Sequence, residues 1–432
     1  MASSHSLTAR RRLCSSRRAR EAVLAEGRTE AVRLILAVQE CLRRYRAQGW
    51  LSRVHVSIRD LMRASSLMAW LASQHLPTRR NLATGAAEPT SFVNPFLPRA
   101  PITRADVDDF EFARRQLQAA LFTAVATIYY LRLPSEAHVR HEQAAHDLRS
   151  MLLAELAEAM PDGTDAHAIE AAFRASVEHL WGYATVPPDL AHTQALKDNF
   201  YACVLAANAR PTMNLLISGP PGCGKTLAFK LAADNLVGPS ESNKELFHSL
   251  VRLRVLPYQC SEVTTAGDIT ALYERAARDQ RTLHHGNTRV LVFLDEAGLP
   301  RERRQALKAT HDALDDGGGV PSVLLSNTTL DAAKTNRCFQ VLQSSALAND
   351  LEVLVRGLLL DEVHAPCWSR RTRAPAARRW LRGLSRWRRR VSCCSACAAS
   401  VAPSHAPTTS RQTFAGTTPA TSSTCCVCCG AR

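Results

Sequence analysis

A glycine-rich stretch in the middle of the chain has the residue types and the spacing of a phosphate-binding loop. It reads Gly-Pro-Pro-Gly-Cys-Gly-Lys-Thr, which is the pattern G-x-x-x-x-G-K-T. Its glycines let the backbone curl so that successive N–H groups point into one cavity, and the helix that follows contributes the positive end of its dipole. A strand-like apolar run precedes the stretch and a helix-like run follows it, which is the context the motif requires. The residues predicted to bind a nucleotide are Gly219, Pro220, Pro221, Gly222, Cys223, Gly224, Lys225 and Thr226.

Two side chains of this loop and two later carboxylates have predicted roles in phosphate chemistry. Lys225 would reach the β- and γ-phosphates, and the Thr226 hydroxyl would ligate Mg²⁺. A second apolar run ends in Asp295 and Glu296. Asp295 would hold Mg²⁺ through water, and Glu296 would polarise the water that attacks the γ-phosphate. Two acids after a strand could also cap the next helix, but the phosphate loop favours the catalytic interpretation.

A third apolar run, from residue 320, ends in Ser326 and Asn327. The Asn327 amide is suited to orienting the attacking water. The three motifs together predict an ATPase that uses ATP and Mg²⁺, with Glu296, Asn327 and, by the resemblance given below, Arg337 as its catalytic residues.

The charge of the chain is unevenly distributed. The 432 residues carry a formal net charge of +15, but residues 1–20 hold six Arg and no acid, and residues 363–432 hold twelve Arg and no acid. The part between them has 36 basic and 39 acidic residues, a balance of about −3. Basicity is therefore a property of the two ends, and a nucleic-acid partner is poorly supported.

The first 28 residues are predicted to form a basic, disordered arm. They are rich in Arg and Ser and lack the apolar core of a secretory signal. A mitochondrial presequence would need a clearer apolar face. The longest apolar run, Ala119–Tyr130, is too short to cross a bilayer. We therefore expect a soluble, cytoplasmic protein.

Residues 29–183 have the three- and four-residue apolar spacing of helices and predict an all-α region. Three histidines recur on one of these segments, His138, His141 and His146, but without the H-E-x-x-H arrangement a solvated helix face is favoured over a metal site. The predicted helices are Glu30–Gln48, Val56–Gln74, Arg104–Leu131, Glu136–Met160 and Ala166–Leu180.

Residues 184–345 alternate strand-like and helix-like runs, which predicts a doubly wound parallel α/β sheet. Thr264 or Thr265 is expected to cap one helix, and a further helix is expected over Arg303–Leu314. In a nucleotide-hydrolysing P-loop fold, the Asn327 strand would lie between the strands that end at Gly219 and Asp295. All three motifs would then meet at one carboxyl edge of the sheet.

Four stretches of this core carry a family resemblance. They are Thr193–Phe200, Gln259–Ser261, Leu294–Leu299 and Ser326–Arg337. Together they resemble the AAA+ core of mysterin-type proteins, giant ubiquitin ligases with a ring finger and tandem dynein-like AAA+ units. The resemblance covers roughly residues 193–357.

The resemblance implies specific roles and partners. It identifies Asn327 with the sensor residue and Arg337 with an arginine that reaches the nucleotide of a neighbouring AAA+ unit. It also implies neighbouring AAA+ units and the ubiquitin machinery as partners, although the family's ring finger has no counterpart in this sequence. The family commonly has Pro where this chain has Ala332, a change expected to matter little.

The end of the chain departs from this pattern. Residues 346–362 are expected to begin the small helical lid of an AAA+ unit, and the composition then changes abruptly into an Arg-, Cys-, Ser- and Thr-rich tail over 363–432. The pairs Cys394/Cys397 and Cys425/Cys428 have C-x-x-C spacing, but the run between them lacks a zinc-ribbon pattern. The tail is interpreted as an out-of-frame or degenerate extension, which would leave the lid truncated.

Two alternatives to an ATP-hydrolysing unit stay open. One is a scaffold that binds a nucleotide without hydrolysing it, which an intact Glu296 disfavours and a missing lid favours. The other is a basic nucleic-acid-binding protein, which the charge distribution disfavours.

Overall fold

The computed structural model describes residues 29–47, 56–73, 76–77, 92–98, 110–133, 148–159, 165, 167–187, 190–238, 245–248, 250–283, 287–300, 306–308, 310–315, 319–328 and 330–343. Several predictions lie outside these ranges: the basic arm 1–28, residues 104–109 and 136–147 with His138, His141 and His146, the lid segment 346–362, and the tail 363–432 with its cysteine pairs.

The amino-terminal part is helical, as its apolar periodicity predicts. The apolar stripe of the second helix is buried at Ala64, Leu67 and Leu71. The third helix ends in five residues of π-helix. The helices are α1 (29–47), α2 (Ile58–Ser73), α3 (Phe110–Val125, continued by the π-turn Ala126–Tyr130), α4 (Leu148–Ala159) and α5 (Ala168–Tyr183). A two-residue antiparallel pair, β1 (Leu76–Pro77) with β2 (Phe92–Val93), was not predicted.

The second part is a five-stranded parallel sheet with helices between its strands. The strands are β3 (Leu215–Ser218), β4 (Arg252–Gln259), β5 (Thr288–Asp295), β6 (Ser322–Ser326) and β7 (Phe339–Leu342), and their order across the sheet is β4-β5-β6-β3-β7. The helices are α6 (Gln194–Asn208), α7 (Lys225–Asn235), α8 (Glu245–His248), α9 (Ala266–Thr282), α10 (Thr310–Ala313) and α11 (Ala332–Thr335).

Both faces of the sheet are covered, because side chains alternate between them. Leu215 and Ile217 of β3 lie in one apolar cluster with α6 and α7, and Leu216 lies in a second cluster with α9. The doubly wound α/β fold predicted from the alternating runs is therefore confirmed. The predicted position of the Asn327 strand is also confirmed, since β6 pairs with β3 on one side and β5 on the other.

The helical part shares one core with the sheet. Its buried side chains and those of one sheet face form a single apolar cluster. The Leu342 N–H at the end of β7 donates to the Leu131 carbonyl at 2.9 Å. Helix α2 reaches the start of β7, where Arg63 Nη1 lies 3.5 Å from the Cys338 carbonyl oxygen.

The N-cap of α9 and the segment 303–314 were both predicted from the sequence. Thr265 caps α9 in a capping box with Asp268, which settles the choice between Thr264 and Thr265. The α-helix expected over Arg303–Leu314 was wrong over residues 306–308, and residues 303–305 and 309 lie outside the described ranges. The structure has a 3₁₀ turn at Ala306–Lys308 and then the short α10. The Thr310 hydroxyl donates to the Leu307 carbonyl at 2.6 Å, and a side chain that binds a local carbonyl competes with a regular helix.

Among the helices that the structure describes, none is long and apolar enough to span a membrane.

Candidate functional site

The glycine-rich loop leaves the end of β3 and enters α7 in a conformation that requires glycine. Gly222 has φ +84° and Gly224 has φ +77°, both in the left-handed region that side chains disfavour. Gly219 is required for a different reason, because a Cβ atom there would lie 2.8 Å from Gln343 Cβ. Gly224 is the N-cap of α7, so the positive end of that helix faces the loop.

Lys225 is held inside the loop that it follows. Its side chain is 8% exposed, and its ammonium group donates to the carbonyls of Gly219 and Pro220, each at 2.8 Å. The Cys223 sulfur lies 3.6 Å from the same nitrogen. The carbonyl contacts hold this cation at the glycine-rich loop, where it is available to pair with a phosphate.

The two predicted carboxylates stand at the end of β5. Asp295 Oδ1 accepts from the Glu296 N–H at 3.0 Å. Glu296 has φ +54°, a left-handed conformation that costs a non-glycine residue about 1–3 kcal/mol. The backbone on either side holds it there, since Cys260 N–H donates to the Asp295 carbonyl at 2.9 Å and Ala297 N–H to the Leu325 carbonyl at 2.7 Å.

Asn327 and Glu296 meet directly. The Asn327 amide nitrogen lies 2.9 Å from Oε1 and 2.8 Å from Oε2 of Glu296. The neighbouring Gly298 makes this approach of the two loops feasible, because a Cβ atom there would lie 2.4 Å from Thr328 Oγ1 and 2.6 Å from Ser326 Oγ.

These groups line one cavity of about 340 Å³ at the carboxyl edge of the sheet. Parallel α/β sheets bind their ligands at this edge, beside the point where the strand order reverses. The lining residues are Pro221, Gly222, Gly224, Lys225, Thr226, Leu227, Asp295, Glu296, Leu325, Ser326 and Asn327. The structure thus gathers the predicted loop, the two carboxylates and the amide in one place, while Gly219, Pro220 and Cys223 support the loop from outside the lining.

The same cavity contains the donor types of a magnesium site. Thr226 supplies a hydroxyl and Asp295 a carboxylate, and Mg²⁺ is commonly bound by one or two protein oxygens with waters and phosphate oxygens completing the octahedron. No group of three or more His, Cys, Asp or Glu residues suited to a metal occurs in the described part of the chain. The two residues present fit a metal that is bound together with a nucleotide.

Cys260 lies beside this edge as an inert thiol. Burial, followed by the charges of Asp295 and Glu296, raises the pKa of Cys260 to about 12. The thiol therefore stays protonated and contributes no charge to the site.

Arg337 lies away from the cavity. It precedes β7, and the register pairs Phe339 with Leu215, at the end of the sheet opposite the loop. Its Nε donates to Asp315 Oδ1 at 3.0 Å and to the His311 carbonyl at 3.1 Å. The structure therefore does not bring Arg337 together with the other predicted site residues, and its role stays a prediction.

The sequence reasoning missed four side chains that support the site. They are Asn199 with Gln343 beneath the loop, and Ser326 with Thr328 against Gly298. Asn199, Ser326 and Thr328 lie within the family-like stretches, which was the one signal pointing to them. Gln343 is recognised only by contacts that exist in the folded chain.

The strand order and the phosphate loop define this part of the chain as an α/β P-loop NTPase domain. Residues 189–350 match the family model described as the RNF213 AAA domain. This segment is therefore similar to the RNF213 AAA domain, and the predicted resemblance to the mysterin-type ubiquitin ligases is confirmed over it.

Individual proteins are similar to parts of this chain. An uncharacterised transmembrane protein of Dictyostelium discoideum is 34% identical over 187 residues, which cover 41% of this chain and 3% of that protein. The E3 ubiquitin-protein ligase RNF213 of Homo sapiens is 30% identical over 184 residues, covering 40% of this chain and 4% of the ligase. Among solved structures, Trip13 of Rhizobiales aligns at 19% identity with a TM-score of 0.25, over 38% of this chain and 54% of that one. The chain thus spans 3–4% of the length of these two curated relatives.

Proposed function

We propose that residues 184–345 bind ATP with Mg²⁺ and hydrolyse it, and that the nucleotide state is coupled to a conformational change. The observation that supports this proposal is that the phosphate loop, Asp295, Glu296 and Asn327 line the same cavity. A phosphate loop alone would support nucleotide binding. A carboxylate and an amide in contact at the same cavity add the groups that position and activate a water.

Each side chain has a distinct part in this reaction. Lys225 and the loop N–H groups bind the phosphates, with each charge-assisted hydrogen bond contributing about 1.5–3 kcal/mol. Thr226 and Asp295 would hold Mg²⁺, which would supply neutralising charge on the phosphate oxygens. Glu296 accepts the proton of the attacking water, and Asn327 fixes the direction of that carboxylate.

One contact favours a second candidate, a module that binds the nucleotide without hydrolysing it. The Asn327 amide nitrogen lies within 2.9 Å of both carboxylate oxygens of Glu296. With both oxygens engaged by a side-chain donor, part of the acceptor capacity of this carboxylate is used within the protein and not for an attacking water. Turnover measured at saturating ATP decides between the candidates, since binding without phosphate release would support the second.

The experiment that tests hydrolysis compares phosphate release with ATP binding in Glu296→Gln. The isosteric amide cannot accept the proton, so we expect ATP to stay bound while hydrolysis slows by about 10²–10⁴-fold, the usual contribution of a general base. The matched control is Glu274→Gln on α9, whose side chain is 64% exposed and pairs with Arg278. Parallel loss of binding and turnover in the Glu296 variant would instead identify a structural carboxylate.

The wider setting of the module is also a proposal. Arg337 stands at the sheet end opposite the cavity and would act on the nucleotide of a neighbouring AAA+ unit. The relatives named as E3 ubiquitin-protein ligases suggest that the module works beside the ubiquitin machinery, with ubiquitin transfer done elsewhere. We propose a cytoplasmic location for this activity.

A further inference from the structure

Asn199, a buried residue of α6, contacts the phosphate loop from behind. It is 0% exposed, and its Nδ2 donates to the Cys223 carbonyl at 3.4 Å. The same helix touches the loop a second time, since a Cβ atom on Gly224 would lie 3.4 Å from Leu196 Cδ1. Helix α6 therefore packs against the central peptides of the loop.

Gln343 fixes the orientation of the Asn199 amide. Gln343 Nε2 donates to Asn199 Oδ1 at 2.9 Å. The Cys223 carbonyl can only accept a hydrogen bond, so the NH₂ end of Asn199 must face it and the oxygen end must face Gln343. Gln343 is itself anchored to β3, because its N–H donates to the Ser218 carbonyl at 2.8 Å.

This chain of contacts determines which way one loop N–H points. The carbonyl of Cys223 and the N–H of Gly224 belong to the same planar, trans peptide and therefore point in opposite directions. Because the Cys223 carbonyl faces Asn199 on α6, the Gly224 N–H points away from α6, and Gly224 itself lines the cavity. Glycine at this position has little intrinsic preference for either orientation of the peptide, so an external contact has to select it.

From this geometry we infer that Asn199, oriented by Gln343, is a positioning residue for nucleotide binding, which holds the Cys223–Gly224 peptide with its N–H directed at the phosphates. The inference rests on the proposed function, since it assumes that the loop binds phosphates. Asn199 touches no nucleotide itself and acts through the loop.

The test is ATP affinity measured by calorimetry in Asn199→Asp, which keeps the size of the side chain and removes the donor. We expect ATP to bind at least about 3–10-fold more weakly, because a hydrogen bond that selects the binding conformation is lost and a carboxylate beneath the loop also repels phosphate. The neutral variant Gln343→Ala tests the positioning role without that added charge. Gln343→Ala leaves the donor in place but removes its orienting partner, and should give a smaller loss in the same direction.

The matched control is Asn208→Asp on the same helix. Asn208 is also buried, and its Nδ2 donates to the Val204 carbonyl at 2.8 Å, away from the loop. Both Asp variants should lower the thermal unfolding midpoint, but only the Asn199 variant should lower ATP affinity. This separation excludes a general loss of stability as the cause.

The outcomes distinguish this inference from the proposed function. If Asn199→Asp binds ATP as tightly as the wild-type chain while Lys225→Ala does not bind, the positioning role is wrong and the phosphate loop stands. Equal losses in the Asn199 and Asn208 variants would also overturn the positioning role. If the wild-type chain does not bind ATP, both are wrong.

Discussion

Replacing Gly298 with alanine should slow ATP hydrolysis while leaving ATP binding nearly intact. The new Cβ atom would lie 2.4 Å from Thr328 Oγ1 and 2.6 Å from Ser326 Oγ. Thr328 is exposed and its side chain can rotate away. Ser326 is 1% exposed and has no such freedom, since its hydroxyl donates to the Thr328 carbonyl at 2.5 Å and accepts from the Thr328 N–H at 3.1 Å.

The size of the effect follows from these contacts. Freeing Ser326 breaks two hydrogen bonds of about 0.5–1.5 kcal/mol each, so Gly298→Ala should destabilise the fold by about 1–3 kcal/mol. Restoring ordinary contact distances of about 3.5–4.0 Å requires the two loops to separate by roughly 1 Å. Asn327 and Glu296 lie on those loops, and a displacement of about 1 Å at a catalytic group costs up to 10²-fold in rate. The atoms nearest to the new methyl group belong to Ser326 and Thr328 and not to the phosphate loop.

The assay is steady-state phosphate release at saturating ATP, with ATP affinity measured separately by calorimetry. We expect turnover to fall by about 10–100-fold, with affinity within about twofold of the wild type. The matched control is Gly182→Ala near the end of α5, where a Cβ atom would meet nothing within 4 Å. That variant should keep full turnover. Wild-type turnover in Gly298→Ala would refute the reasoning that close approach of the two loops positions Glu296.

Two further predictions concern other parts of the chain. Burial alone would raise the pKa of Asp60, but the guanidinium groups of Arg132 and Arg63 hold it below its usual range. The ionised carboxylate therefore stabilises the fold fully above the unfolded pKa of about 3.9, and this stabilisation is lost as pH falls through the lower folded value. Urea midpoints should decline in this acid range, and Asp60→Asn should remove that part of the decline. Arg337→Ala should leave the ATP turnover of the isolated chain almost unchanged, because Arg337 lies at the end of the sheet opposite the phosphate loop. A sharp drop in the turnover of the purified monomer would mean that Arg337 acts on the nucleotide bound to the same chain.

The local motifs could be predicted from the sequence because each is encoded in adjacent residues. The loop Gly219–Thr226 and the pair Asp295 and Glu296 are each recognised from the types of adjacent residues. The alternation of strand-like and helix-like runs around them predicted the parallel sheet. The position of the Asn327 strand followed from the strand order of nucleotide-hydrolysing P-loop folds, which places all three motifs at one edge.

The supporting contacts could not be predicted in this way. Asn199 and Gln343 are 144 positions apart, and no local sequence pattern predicts that their side-chain amides form a hydrogen bond. The left-handed backbone conformation of Glu296 likewise cannot be predicted from its residue type, because the backbone hydrogen bonds of its neighbours Asp295 and Ala297 impose it. The same holds for the helical part. Its helices follow from apolar spacing, but their shared core with the sheet depends on tertiary packing.

The central claim is that the loop ending at Lys225 binds the phosphates of ATP, and calorimetric titration of ATP into the wild-type chain and Lys225→Ala tests it most directly. Lys225 is 8% exposed and its ammonium lies among loop carbonyls at the cavity wall, so its loss should remove charge-assisted contacts of about 1.5–3 kcal/mol each and abolish measurable binding. Lys230→Ala, farther along α7, is the matched control and should bind as the wild type does. Unchanged ATP affinity in Lys225→Ala would contradict the assignment of the phosphate loop.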